Sequence, residues 1–167
     1  LGSFACAQDI AVQSCEQVVS FDRFIVASGS CGTHSGLLVG AKSVNFDASI
    51  TGINVRRPRA EQEGNLLKLA RETAALLEIE APEAKDVTAL DEWVGPGYSI
   101  PTDEMVEAVR MLARLEAVLL DPVYSGKAMA GLIGLARRGE LKRGERVLFV
   151  HTGGSPALYA YQNVLQS

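Results

Sequence analysis

The chain has 167 residues, enough for one domain with a sizeable core, and at 47% hydrophobic and 22% charged its composition is that of a globular protein. A formal net charge of -4 and a pI of about 5.2 argue against general binding to nucleic acid or to an anionic membrane. No apolar run reaches the roughly 18 residues of a membrane span and no stretch reads as a signal peptide.

Residues 3–17 place Phe4, Ala7, Ala11, Ser14 and Val18 at helical spacing. "RFIVAS" (23–28) reads as a short strand, and Ser35 to Val44 as a helix. "SITGINV" (49–55) is a second strand, ending in "VRRPR"; Arg56, Arg57 and Arg59 there read as a solvated strand end. Pro58 suits a helix start, and "AEQEGNLLKLARETAALL" (60–77) continues it. Residues 79–100 read as irregular, with Pro82, Gly95, Pro96, Gly97 and the only Trp, and are long enough to suggest a lid. Thr102 caps a helix running to about Glu116, with Glu104 and Glu107 near its positive end. "AVLLD" (117–121) reads as a strand, Gly126 to Arg138 as a helix, "RVLFVHT" (146–152) as the last strand, and a final helix starts at Pro156. The order α-β-α-β-α-α-β-α-β-α predicts an α/β fold, an open parallel sheet with helices on both faces. Right-handed crossovers bring the C-terminal strand ends to one edge, where ligands sit in such sheets.

Three loops at that edge carry chemistry. In "VASGSCGTHSGLLVG" (26–40), Gly29, Gly32 and Gly36 lie between an apolar strand and an apolar helix. A glycine-rich turn feeding a helix N-terminus exposes unpaired N–H groups that favour a phosphate, and Ser30 and Thr33 add hydroxyls. The spacing is not G-x-G-x-x-G, and Arg56 stands where a dinucleotide fold has an acid, which leaves NADP as an alternative. No G-K-[ST] closes the turn, so it is not a P-loop. "DPVYSGK" (121–127) sets Tyr124 beside Ser125, one suited to lie over a bound ring and the other to meet its edge. In "HTGG" (151–154) two glycines again admit a ligand, while His151 and His34 read as hydrogen-bonded core histidines. Cys6, Cys15 and Cys31 are odd in number and lack C-x-x-C spacing, which predicts neither disulfides nor a zinc site and suits a reducing, cytoplasmic setting.

"GSCGTHSGLLVG", "PGYSIP", "LDPVYSGKAMAGLI" and "VLFVHTGGSPALYAY" resemble the D-cysteine desulfhydrase / 1-aminocyclopropane-1-carboxylate deaminase family, which includes L-cysteate sulfo-lyase. These are pyridoxal-phosphate enzymes of fold type II, the tryptophan-synthase-β-like class, and the similarity runs in order over nearly the whole chain. The resemblance implies that residues 1–167 are the C-terminal part of the large cofactor domain, a C-terminal half only. The Schiff-base lysine and the loop holding the substrate carboxylate would lie in an upstream half, without which the chain would be inactive. None of Lys42, Lys68, Lys85, Lys127 and Lys142 matches the Schiff-base lysine; Lys127 matches a different family lysine.

By the same resemblance Ser30, Cys31, Gly32 and Thr33 would cradle the cofactor phosphate, and Thr152 and Gly153 would line the pyridine edge. Tyr124 and Tyr98 would be catalytic, Tyr124 against the ring near the substrate Cα and Tyr98 close to the substrate. Family members usually have Gly, Ala or Ser near Cys31, and a thiol there could form an adduct with the cofactor. Ser125 stands opposite the ring nitrogen, where the ring-opening deaminases carry Glu. A hydroxyl cannot keep that nitrogen protonated, which gives a weaker electron sink and favours β-elimination. The expected activity is that of a carbon–sulfur lyase acting on a small-molecule amino acid. D-cysteine would yield pyruvate, ammonia and sulfide; L-cysteate would yield pyruvate, ammonia and sulfite, with the arginine cluster favouring the sulfonate. The family tends to homodimers. Ring opening of 1-aminocyclopropane-1-carboxylate, and a non-catalytic NADP- or anion-binding domain, are the alternatives.

Overall fold

The run Phe24-Ile25-Val26-Ala27 has no polar break because both faces of its strand are covered. A computed structural model describes residues 1–166. In chain order the regular elements are α1 (Gly2–Glu16), β1 (Arg23–Ser28), α2 (Gly32–Ser43), β2 (Ser49–Asn54), α3 (Arg59–Leu76), β3 (Thr88–Leu90), α4 (Asp103–Glu116), α5 (Ser125–Arg137), β4 (Val147–Val150) and α6 (Gln162–Gln166). The four strands form one parallel sheet in the order β3-β2-β1-β4. Arg23 of β1 stands opposite Ser49 of β2 and Val147 of β4, and Thr51 of β2 opposite Thr88 of β3.

Alternation along the strands builds two cores. Phe24 and Val26 pack with Ala7, Leu37, Leu38 and Leu66, from α1, α2 and α3. Ile25, Ala27 and Ile53 pack with Met105, Val109, Ala128 and Leu135, from α4 and α5. Phe24 and Ile25 are fully buried, each worth roughly 1.5–3 kcal/mol relative to exposure. Helices on both faces and the parallel sheet are those expected from the sequence.

Three elements differ. Residues 117–121, expected as a strand, make no ladder. Ala117 ends α4 in the left-handed region, at φ 54°, and the Val118 N–H turns back to the Leu112 carbonyl. The Leu119 carbonyl takes the His151 ring, and both backbone groups of Asp121 bond to the start of α5. With those groups committed, the segment has little left to pair. The third strand is β3, inside the stretch read as irregular; three residues are too few for a periodicity to appear. The C-terminal helix expected from Pro156 is a 3-10 segment over Ser155–Tyr161, followed by α6. Thr102 caps α4 as expected, its hydroxyl accepting the Met105 N–H at 3.3 Å.

Candidate functional site

β1 ends at Ser28, and Gly29 to Cys31 turn the chain into α2. Cys31 is the N-cap at φ 73°, a left-handed conformation that costs a residue with a Cβ roughly 1–2 kcal/mol. No side chain caps this helix, so its first N–H groups face outward with the positive end of the dipole. The turn is held from below. The Gly29 carbonyl accepts from Arg57 Nη1 at 2.8 Å and from Gln62 Nε2 at 3.2 Å. Gln62 Nε2 also donates to Ser28 Oγ at 2.9 Å, and that hydroxyl meets His34 Nδ1 at 3.1 Å. Gln62, Ser28 and His34 are buried. Burial pushes the His34 pKa down to about 4, against a smaller pull from the Ile50 backbone, so the ring is neutral at physiological pH. Sequence reasoning missed Arg57 and Gln62 as supports of the turn, because their partners are about 30 residues away and meet only when β1 and β2 pair.

Gly36, the third glycine of the stretch, has another task. A Cβ there would stand 2.7 Å from Ser3 Cβ, so this glycine lets α1 pack on α2 rather than admitting a ligand.

Two tyrosines meet above the turn. Tyr124 sits at the head of α5, and Tyr98 comes from the loop after β3. Their hydroxyls are hydrogen-bonded, with ring centroids 6.0 Å apart and planes 70° to one another. That hydrogen bond first, and burial second, push the Tyr124 pKa up to about 12, with Arg56 opposing. At neutral pH the Tyr124 hydroxyl therefore keeps its proton. Lys127 ties the two tyrosine-bearing segments together: its buried Nζ donates to the Val94 carbonyl at 2.7 Å and the Gly97 carbonyl at 3.0 Å. Burial lowers its pKa.

Ser125 lies fully buried at the start of α5. Its hydroxyl donates to Asp121 Oδ1 at 2.7 Å and accepts the Asp121 N–H at 2.8 Å. Asp121 was not singled out from the sequence. Its signal is an acid four residues before a helix, hidden by reading 117–121 as a strand.

The third loop follows β4. His151, exposed, donates through Nε2 to the Leu119 carbonyl at 3.0 Å and accepts the Gly153 N–H on Nδ1 at 3.0 Å. Those partners fix its tautomer and hold the backbone around Thr152. Ser30, Cys31, Gly32, Thr33, Tyr124 and Thr152 come together around a cleft of about 250 Å3. Tyr98 joins it through Tyr124, Gly153 adjoins it, and Ser125 does not line it. A larger hollow of about 570 Å3 lies at the opposite edge of the sheet, where Lys42 pairs with Glu80 at 2.9 Å.

The sulfur of Cys31 is buried, and burial raises its pKa, with Arg57 opposing. Of the arginine cluster, Arg57 pairs with Glu61 at 3.0 Å and Arg59 with Glu63 at 2.8 Å. Arg56 instead lies over the Tyr98 ring, 5.6 Å from its centroid.

The family described as "Pyridoxal-phosphate dependent enzyme" matches residues 2–153. A solved structure titled "Crystal Structure Analysis of the ACC deaminase homologue" is similar at a TM-score of 0.88 and 37% sequence identity, over 99% of this chain. The chain spans 49% of that chain's length. The cleft suits the family's cofactor. Outward N–H groups at the start of α2 and the hydroxyls of Ser30 and Thr33 are phosphate donors, and no acidic side chain lines the cleft. Pyridoxal phosphate, the cofactor expected from the resemblance, is the cofactor of the family.

Proposed function

The chain belongs to the family of pyridoxal-phosphate dependent enzymes, and from that premise we propose that it forms the C-terminal part of the large cofactor domain of a carbon–sulfur lyase. The proposed substrate is a cysteine-like amino acid. With one water consumed, D-cysteine would give pyruvate, ammonia and sulfide, and L-cysteate would give pyruvate, ammonia and sulfite. When bound, pyridoxal phosphate supplies the electron sink that lets the substrate Cα lose a proton as the Cβ–S bond breaks.

The N–H groups of residues 30–33 and the hydroxyls of Ser30 and Thr33 would hold the phosphate. Thr152 and Gly153 would border the ring, the Gly153 N–H being held by His151. Tyr124 Oη, which keeps its proton at neutral pH, serves as a hydrogen-bond and proton donor beside Tyr98 rather than as the resting base. Lys127 holds the Tyr98 loop against α5. Cys31 contributes backbone alone, its thiol being buried and protonated.

The observation that carries the elimination reading is Ser125, a neutral hydroxyl bonded to Asp121 at the position where the ring-opening deaminases have Glu. Ser125→Glu would set a second carboxylate against Asp121 and favour a protonated ring nitrogen. In the full-length enzyme it is expected to lower pyruvate release from the cysteine-like substrate at least tenfold. Unchanged turnover would overturn the assignment. Arg56, the member of the cluster beside the tyrosine pair, supports L-cysteate. Arg56→Ala should then lower kcat/KM for L-cysteate and spare D-cysteine. A homodimer in a cytoplasmic setting belongs to the same reading. No helix among the described residues is long and apolar enough to cross a membrane.

A further inference from the structure

We propose that Asp121 is a positioning residue for the tyrosine pair: its buried carboxylate fixes the backbone of Tyr124 at the head of α5 and so sets where the Tyr124 hydroxyl meets that of Tyr98. The inference rests on the reading of Tyr124 as the proton donor of the reaction.

Asp121 is 1% exposed, and four donors converge on its carboxylate. Oδ2 accepts the Val123 N–H at 2.9 Å and the Tyr124 N–H at 2.8 Å. Oδ1 accepts the Ser125 N–H and the Ser125 hydroxyl, each at 2.7 Å. Among the described residues no cation pairs with it, so its charge is balanced by the N–H groups and the positive end of α5. The turn is closed a second time by its own backbone, the Gly126 N–H donating to the Asp121 carbonyl at 2.7 Å. The third loop also rests on this residue: a Cβ on Gly154 would lie 2.9 Å from Asp121 Cβ. Asp121 is therefore where the second and third loops of the cleft join.

Each bond restrains the residue that carries the reactive phenol or its neighbour. A shift of Tyr124 at the backbone moves its ring out of the edge-to-face contact with Tyr98. The charged groups around the Tyr124 hydroxyl are few: Asp121 and the Tyr98 hydroxyl disfavour its ionisation, and Arg56 favours it. Removing the Asp121 charge thus has a signature that a purely structural role lacks.

Asp121→Asn keeps the shape but offers one strong acceptor where four donors point. Asp121→Ser, which keeps a capping oxygen without the charge, serves if the amide variant fails to fold. In the full-length holoenzyme, either variant is expected to lower kcat at least tenfold with KM and cofactor content held within about twofold. Titration of 13C-labelled tyrosine, assigned with Tyr124→Phe, should show the Tyr124 phenol ionising at lower pH than in the wild type. Wild-type kcat, or a fall in kcat matched by lost cofactor with the Tyr124 titration unmoved, would overturn the proposal. The titration needs no substrate, so it still reads out if the enzyme proves not to be a carbon–sulfur lyase.

Discussion

Cys31 shows how one side chain's role depends on its burial. A thiol in the turn proposed to hold a phosphate suggests reactivity, but burial raises its pKa, and the thiolate is the reactive form. Iodoacetamide at pH 7.5, followed by peptide mass mapping, should label Cys31 at least tenfold more slowly than Cys6 or Cys15, which are exposed. Comparable rates would show the turn to be open. Tyr124 is instead shifted by a neighbour, its hydrogen bond to the Tyr98 hydroxyl raising its pKa. Tyr98→Phe removes the largest cause of its raised pKa, so the phenol should titrate below the wild-type value of about 12, moving toward 10.0. Between those values the wild-type folded chain holds a proton that the unfolded chain has lost. The stabilisation present below pH 10 is therefore lost as pH rises through about 12, and Tyr98→Phe should shift that loss to lower pH. The resemblance puts both tyrosines near the substrate, but their hydrogen bond was not legible in "PGYSIP" and "DPVYSGK", because it depends on contacts between segments such as the Lys127 clamp.

At the scale of elements, α2 explains both a success and a misreading. Its N-terminal glycine turn was readable because backbone donors need no side-chain partner. Gly36 was read with Gly29 and Gly32 as one glycine-rich stretch, yet it serves the α1–α2 contact, a tertiary fact that local spacing cannot carry. Gly36→Ala should destabilise the fold by about 1–3 kcal/mol through overpacking, measured by denaturant unfolding. The buried face of α2 also carries His34. Its folded pKa of about 4 lies below the unfolded 6.5, so the stability it contributes is complete above pH 6.5 and is lost as pH falls toward 4. That difference corresponds to about 3 kcal/mol. His34→Gln should flatten the stability profile over this range, whatever it does to the value at pH 7. Residues 117–121 misled for a physical reason: "AVLLD" has strand composition, but the His151 ring and the start of α5 take its backbone groups. β3 escaped notice because its pairing with β2, not its own pattern, makes it a strand.

For the whole molecule, the parallel topology was the most legible feature, since apolar strands separated by helices leave few other arrangements. It brings the turn after β1, the loop after β3 and the loop after β4 to one edge, together with the head of α5. Of the residues expected to meet a phosphate and a ring, Ser30, Cys31, Gly32, Thr33, Tyr124 and Thr152 lie around one cleft there, Gly153 adjoins it, and Ser125 is set behind it against Asp121. What sequence reasoning could not supply was the supporting layer of Arg57, Gln62, Asp121 and Lys127, whose roles exist only as contacts between segments. The central claim is that a neutral hydroxyl at Ser125 suits elimination rather than ring opening. The most direct test supplies the full-length enzyme with D-cysteine, L-cysteate and 1-aminocyclopropane-1-carboxylate in parallel and identifies the 2-oxo acid formed. Pyruvate with sulfide or sulfite from one of the first two, and no turnover of the third, is the predicted result. A four-carbon 2-oxo acid from the cyclopropane substrate, with no pyruvate from either sulfur compound, would contradict it.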